Sequence, residues 1–475
     1  MSEWNALSRR SLGAAAVLSI WLVVPALVVL GKIMLGLDWP PLAIAAAGVG
    51  AVLLIVGGVV VYDLIRLRNT SWRLTGERLE LRSGIAVREH RSVPLERVRS
   101  VDLKADPVRR AFGLAVVKVG TGEHEGDLTL DALTRADAEE LRRTLLQQEV
   151  PGQDGALATL DWSWIRFAPL TVWSFVGGAV AVGAISKLLD MLGVNLFTTD
   201  TAERAWAWAS DRLWLAIPLV LLANVLVGVV GAVAVYAESW GGYRLEREPG
   251  RLRLRRGLLT KRSLTLEERR LRGVHVGESL LLRLGGGARV KAVATGLRKA
   301  KDDETEDVAA LTPPMPRTEA YAVAERIAPG AFQQLRKHPR AALHKRLRRA
   351  VVTMVVLAAL LAVVPGWWWT LPLAALPFAL WYAADTYHGL GHALGERHLV
   401  TRSGSAMRGT VALDRSGIVG WTISQSFFQR RLGLLTVSAT TAAGDGHYDV
   451  LDAGGDEGLD LAARAVPGLL EPFLR

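Results

Sequence analysis

Three groups of residues in this 475-residue chain have types and spacings that could do chemistry. His388, His392 and His398, with Asp385, form the densest histidine cluster, and two His at i and i+4 on a helix can share a metal. No Glu follows His388 as a zinc-protease helix would require, so the segment reads as a linker at a membrane interface and no metal site is expected. Gly120, Gly122 and Gly126 lack the spacing of a dinucleotide loop, and no phosphate-loop Lys-Ser/Thr follows them. They read as a turn between strands.

The third group is basic. Arg251, Arg253 and Arg255 alternate with Leu252 and Leu254, which puts three guanidiniums on one face of a strand. Arg256, Lys261 and Arg262 continue round the next turn. Between Arg244 and Lys299 sixteen Lys or Arg stand against five Asp or Glu, a surplus equal to the +11 of the whole chain. Arginine grips phosphate with two parallel hydrogen bonds, and each basic residue near an anionic leaflet contributes roughly 1 kcal/mol. Arg253, Arg255, Arg256, Lys261 and Arg262 are therefore the expected contact with anionic lipid headgroups. Nucleic acid is not expected, because the run lacks interleaved aromatics for base stacking. The chain has no cysteine, which removes disulfides, thiolate nucleophiles and cysteine metal sites. No catalytic residue set and no cofactor are expected.

The elements that must carry these residues are set by hydropathy. At 50% hydrophobic and 22% charged residues, the chain is too apolar for an ordinary soluble protein and too charged to be all membrane. Apolar runs cover Leu12–Gly31 with Trp39–Tyr62, Phe167–Ser186 with Leu213–Ala237, and Ala350–Ala384. About 20 apolar residues cross a bilayer, so six transmembrane helices in three hairpins are expected, the third pair short and folding back near Pro365-Gly366. Arg9 and Arg10 read as the flank of a first membrane helix, since no Ala-x-Ala cleavage site follows. Gln333–Arg349 enters the third hairpin with seven Lys or Arg and no acidic residue, and Arg66 and Arg68 leave the first in the same way. The positive-inside bias then places the polar segments and both termini in the cytoplasm of a multi-pass cell membrane protein. Trp162, Trp164, Trp214, Trp240 and Trp367–Trp369 sit at span ends as an interfacial belt would. Asn224 is the one strongly polar side chain within the apolar runs, which argues against an ion-coupled transporter, a proton pump or an intramembrane protease.

Each hairpin is followed by a polar segment, and these segments repeat. The first opens Trp72-Arg73-Leu74-Thr75, runs Leu79-Glu80-Leu81-Arg82-Ser83-Gly84, continues Val93-Pro94-Leu95-Glu96-Arg97-Val98, and then Arg109-Arg110-Ala111-Phe112-Gly113-Leu114. It closes on a helix capped by Thr134 with Asp137, burying Ala138, Leu141 and Leu145. A shift of 320 carries Leu74, Leu79, Arg82-Ser83-Gly84 and Phe112-Gly113-Leu114 onto Leu394, Leu399, Arg402-Ser403-Gly404 and Leu432-Gly433-Leu434. The second repeat fits with insertions through Tyr243-Arg244-Leu245, Leu254-Arg255-Arg256-Gly257 and Leu284-Gly285. The third lacks the Pro-Leu-Glu-Arg string, and Pro467 is expected to interrupt its closing helix. His392 takes the aromatic slot of Trp72 and Tyr243.

These strings resemble the bacterial pleckstrin-homology membrane family of the YdbS/YdbT type, in its longer three-repeat form. The resemblance implies a small PH-like β-barrel or sandwich with a C-terminal helix in each unit. It implies no catalytic residues, and it suggests a setting in envelope stress or antimicrobial resistance. The expected layout is hairpins at 12–64, 165–237 and 349–385, each followed by a PH-like domain at 72–148, 243–328 and 392–473. The expected role is a non-enzymatic membrane scaffold or sensor, whose partners are the lipid bilayer and a protein partner or a second copy. The alternative is a subunit of a transport or lipid-handling assembly.

Overall fold

The computed structural model describes residues 4–84, 88–98, 100–120, 128–145, 155–171, 173–191, 199–295 and 309–469. Gly122 and Gly126 of the glycine string lie outside the described residues, as does most of the polar insert after Arg298. The chain divides into two compact units, Met1–Leu266 and Glu267–Arg475.

The first unit opens with β1 (Asn5–Ala6), then α1 (Ser11–Leu18), α2 (Ile20–Gly36) and α3 (Pro41–Arg68). There follow β2 (Ser71–Leu74), β3 (Arg78–Ser83), β4 (Glu89–Pro94), β5 (Ser100–Ala105), α4 (Pro107–Ala111), β6 (Leu114–Gly120), β7 (Leu128–Thr134) and α5 (Arg135–Leu145). The second repeat starts with β8 (Ala156–Thr159), α6 (Trp173–Met191), α7 (Thr199–Asp211), α8 (Leu213–Trp240), β9 (Arg244–Glu248), β10 (Arg251–Arg256) and β11 (Lys261–Glu267). The unit boundary falls at the end of β11. The second unit holds β12 (Leu271–Ser279), α9 (Leu280–Leu284), β13 (Gly287–Ala294), β14 (Met315–Pro316) and α10 (Arg317–Ile327). It then runs α11 (Arg340–Leu361), α12 (Thr370–His388), β15 (Gly391–Leu394), β16 (His398–Ser403), β17 (Met407–Asp414), β18 (Ile418–Ser424), α13 (Phe427–Arg431), β19 (Leu434–Thr441), β20 (His447–Gly454) and α14 (Gly455–Ala465).

Alternation of apolar and polar residues makes the strands, and the shared leucines and valines face inward. In the first repeat Leu74, Leu79, Leu81 and Val93 from β2–β4 meet Val101, Val117, Val119, Leu128 and Leu130 from β5–β7, closed by Leu141 and Leu145 of α5. Burying one such side chain contributes roughly 1.5–3 kcal/mol. Thr134 caps α5 as expected, its hydroxyl accepting from the Asp137 amide at 3.2 Å. The repeated Arg-x-Gly string marks a turn at positive φ, with Gly84 at 122°, Gly257 at 102° and Gly404 at 93°. A Cβ at Gly257 would meet the Thr260 carbonyl oxygen at 1.9 Å, so the string is kept by backbone geometry.

Four expectations are corrected. No barrel closes among the described residues; the strands form open sheets of four, seven, six and three strands. Among the described residues three helices, not six, are long and apolar enough to span a membrane: Ser11–Gly36, Pro41–Arg68 and Leu213–Trp240. Of the third hairpin, α11 spends its first ten residues on a basic stretch, and α12 carries Pro372, Pro377 and Asp385 within 19 residues. Pro467 does not interrupt the last helix, since α14 ends at Ala465. The glycine of the second repeat equivalent to Gly113 and Gly433 is Gly286, not Gly285, because Gly286 is the one at positive φ (74°) after the short helix.

The strand before each hairpin pairs with the strand after it. Asn5 sits opposite Trp72, Thr159 opposite Arg244, and Arg336 bridges His392. Each helical hairpin thus leaves and re-enters its soluble part at adjacent strands.

Candidate membrane-surface site

In every repeat an acidic side chain ties the end of a hairpin helix to a sheet. In the first repeat the buried Asp63 of α3 accepts from the Ser11 hydroxyl at 2.8 Å and pairs with Arg66 at 2.8 Å. Arg66 reaches on to Asp131 of β7 at 3.0 Å. In the second, the Glu238 carboxylate near the end of α8 accepts from the amides of Leu259 (3.0 Å) and Thr260 (2.8 Å) in the β10–β11 turn. In the third, Asp385 of α12 takes Arg283 at 2.9 Å, Arg408 at 3.0 Å and the Ser405 hydroxyl at 2.5 Å. The first helix of that hairpin is also tied, because Lys345 and Arg346 hold Asp452 of β20 at 2.5 and 2.8 Å. Burial works against a charge on Asp452, but these two cations and Gln429 outweigh it and hold its pKa below the usual carboxylate value. Two residues of the basic Gln333–Arg349 stretch therefore also carry structural ion pairs.

The β10–β11 turn that Glu238 holds carries an exposed apolar tip with basic flanks. Leu258 and Leu259 are exposed at its tip, 49% and 57%, where apolar residues have no reason to be in water. Arg256 and Lys261 flank them, and the Arg256 guanidinium lies 4.5 Å from the ring centroid of Trp240, the last residue of α8. The basic residues singled out from sequence fall into two places. Arg255 and Lys261 are exposed and Arg256 and Arg262 half-buried, all on or beside the turn. Arg253 is elsewhere. It is buried between Glu139 of α5 (3.2 Å) and Glu248 (3.2 Å), where it serves packing. Glu139 lies 114 residues away in sequence, so strand alternation alone could not show that partner.

The histidines are also redistributed. His392 stacks edge-on against His338, which sequence reading missed, with Nδ1 3.1 Å from His338 Nε2. The Arg336–His392 bridge that clasps the third hairpin brings them together. Burial pushes both rings down, His392 to about 4, with His338 beside it adding to the effect. His388 and His398 are not part of this pair. Among the described residues no group of three or more His, Asp or Glu could hold a metal.

A cavity of about 560 Å³ opens beside the end of α3, lined by Leu7, Tyr62, Ile65, Arg66, Leu81 and Leu130 among others.

The bacterial PH domain model matches this chain three times, over residues 15–149, 197–329 and 344–468. The chain belongs to the bacterial PH domain family. Each match takes in helical hairpin residues as well as the sheets, so hairpin and sheets recur as one unit. Among curated proteins the chain is similar to the UPF0699 transmembrane protein YdbT of Bacillus subtilis (strain 168), 20% identical over 416 residues that cover 83% of each protein. No solved structure matches. The three-repeat bacterial PH family expected from the repeated strings is thereby established, and with it a membrane protein containing PH-like domains.

Proposed function

We propose that this chain is a non-enzymatic scaffold or sensor of the cell membrane, whose PH-like parts are held against the cytoplasmic leaflet by their own helical hairpins. The organisation is that read from sequence: hairpins at 12–64, 165–237 and 349–385, PH-like domains at 72–148, 243–328 and 392–473, and both termini cytoplasmic. The observation that carries the reading is the β10–β11 turn. Two exposed leucines and four basic residues meet there beside the buried Trp240, and Glu238 locks them to the end of a membrane-length helix. Apolar tips inside a basic ring suit an anionic headgroup layer. Arg255, Arg256, Lys261 and Arg262 are the proposed headgroup contacts, with Arg253 bracing the strand behind them. The third hairpin, with its Trp367–Trp369 tip and short apolar arms, would enter the bilayer without matching its full thickness. Envelope stress or antimicrobial resistance is the setting the family resemblance suggests.

The test uses the full chain in nanodiscs, with an environment-sensitive dye on Leu259→Cys. Anionic lipid should shift the emission to the blue, and replacing Arg255, Arg256, Lys261 and Arg262 by Gln should abolish the shift. A dye signal equal in zwitterionic and anionic discs would end the headgroup reading.

A second reading, lipid handling within a larger assembly, is favoured by the cavity beside α3. Its lining is mainly apolar with Arg66 and Asp131 at one side, which fits an acyl chain with a polar head. Lipid retained through detergent exchange by the native chain and lost on Leu81→Trp would support it.

A further inference from the structure

The repeats are joined by their sheet edges, and the same join is made twice. In the first unit β5 of repeat one pairs with β11 of repeat two, from Ser100 opposite Leu266 to Ala105 opposite Lys261. In the second unit β12 of repeat two pairs with β17 of repeat three, from Gly273 opposite Leu413 to Ser279 opposite Met407. The repeat shifts make these one and the same seam. The capped short helices fix the correspondence, with Asp106, Ser279 and Ser426 as N-cap residues, so Ser100, Gly273 and Gly420 are equivalent. The 3₁₀ turns Leu95–Arg97, Glu268–Arg270 and Arg415–Gly417 do the same for the other side, so Val93, Leu266 and Leu413 are equivalent. Both seams therefore align the same positions.

Two strands are left over. β4 is the terminal strand of the four-stranded sheet and β18 that of the three-stranded sheet. They are the repeat-one equivalent of β11 and β17 and the repeat-three equivalent of β5 and β12. The other sheet edges recur: β1, β8 and the Arg336 bridge to β15 each flank the strand that follows a hairpin, and β7, β14 and β20 each precede a closing helix. Among the described residues β4 and β18 have nothing paired on the side where their equivalents in the other repeats form a seam. The surface of β18 matches that difference. Ile423 of β18 is 40% exposed, while its equivalent in the second seam, Val276, is fully buried. Val419 is exposed as well, at 64%. An uncovered strand with exposed branched apolar side chains is a template for another strand. Pro94, which has no amide proton to give, does not block pairing. Its equivalents Glu267 and Asp414 lie one residue beyond the last paired positions of the two seams.

The geometry points to a second copy of this chain as the occupant: β18 of one copy pairs antiparallel with β4 of the next, continuing the seam already made twice within each chain. The register follows from both internal seams, which agree on Gly420 opposite Val93, Trp421 opposite Ser92, Thr422 opposite Arg91, Ile423 opposite His90 and Ser424 opposite Glu89. The contact is head to tail, so copies sharing one membrane plane form a closed ring or an open row.

The chain has no cysteine, so paired cysteines test the register directly. Cα atoms of directly opposed strand residues are about 4.5–5.5 Å apart, within the span a disulfide bridges. Two differently tagged full-length chains, one His90→Cys and one Ile423→Cys, are co-expressed and oxidised in native membranes. A disulfide joining the two tags is expected. The pair His90→Cys with Thr422→Cys, one residue out of register and on opposite faces, should cross-link at least tenfold less. Absence of the first cross-link, or equal yield from both pairs, overturns the proposal. A chain carrying both His90→Cys and Ile423→Cys should give a ladder of covalent oligomers; closure within single chains alone also overturns it. Independently, mass photometry of the cysteine-free chain in mild detergent should show more than one copy per particle, reduced to one by Ile423→Lys. A native particle with one copy contradicts the seam.

Discussion

The second and third hairpins are tied to their sheets by different chemistry, and the difference shows what each tie depends on. Glu238 accepts from two backbone amides, groups that any turn sequence would present. Asp385 faces Arg283 and Arg408, and Asp452 faces Lys345 and Arg346, so the third hairpin depends on four half-buried cations, the half-buried Asp385 and the buried Asp452. Removing one partner from a buried ionic set leaves a charge uncompensated, which costs about 3–5 kcal/mol. An amide turned back to water loses closer to 1 kcal/mol. The ionic tie is the more fragile to mutation, although it is no stronger when intact.

The largest expected effect follows directly. Asp385→Ala should destabilise the second unit by about 3–5 kcal/mol, because Arg283 and Arg408 would then face each other as like charges. Glu238→Ala should cost about 1–2 kcal/mol. Hydrogen exchange of β16–β17 and of β10–β11 in the detergent-solubilised chain reads the two separately. Equal losses would erase the distinction.

A smaller effect comes from pH. His392 is depressed to about 4 and His338 is also lowered from the usual value near 6.5. The unfolded chain therefore binds more protons than the folded one between about pH 6.5 and 4, so stability contributed by these neutral rings is lost as pH falls through that window. The loss should be on the order of 1–3 kcal/mol, seen as weaker amide protection of β15. The first repeat has Trp72 in that slot, and β2 should keep its protection. His392→Phe should flatten the profile; an unchanged profile would mean the pair does not titrate there.

The smallest effect is a control. Arg464 and Asp460 pair at 2.7 Å on an exposed helix face, and Asp460→Ala should change stability by under about 0.5 kcal/mol. A loss comparable to that of Asp385→Ala would show that burial does not decide the ranking.

What could be read from sequence was whatever leaves a mark within one repeat. The Arg-x-Gly turns, the inward leucines and the Thr134 cap each follow from a few adjacent residues, and all stand in the structure. The seams leave no such mark, because a strand ladder is made of backbone groups that every sequence carries. Asp385 was grouped with the histidines, and Glu238 and Asp452 carry no sequence mark of the partners they take in the structure. Arg253 looked like part of a free basic face until Glu139 and Glu248 closed on it. His338 could have been suspected from one feature, its place in the short strand-like stretch that precedes the third hairpin. In the third hairpin the apolar block was counted without the basic stretch that opens α11.

The proposed function requires the PH-like parts to lie on the cytoplasmic side of the membrane with the first hairpin passing through it, and sidedness can be read with single cysteines in a chain that has none. Glu140→Cys in α5 and Asp456→Cys in α14 should react with a membrane-impermeant maleimide only after the cells are permeabilised, while Leu37→Cys between α2 and α3 should react in intact cells. Labelling of Glu140→Cys or Asp456→Cys in intact cells would contradict the account.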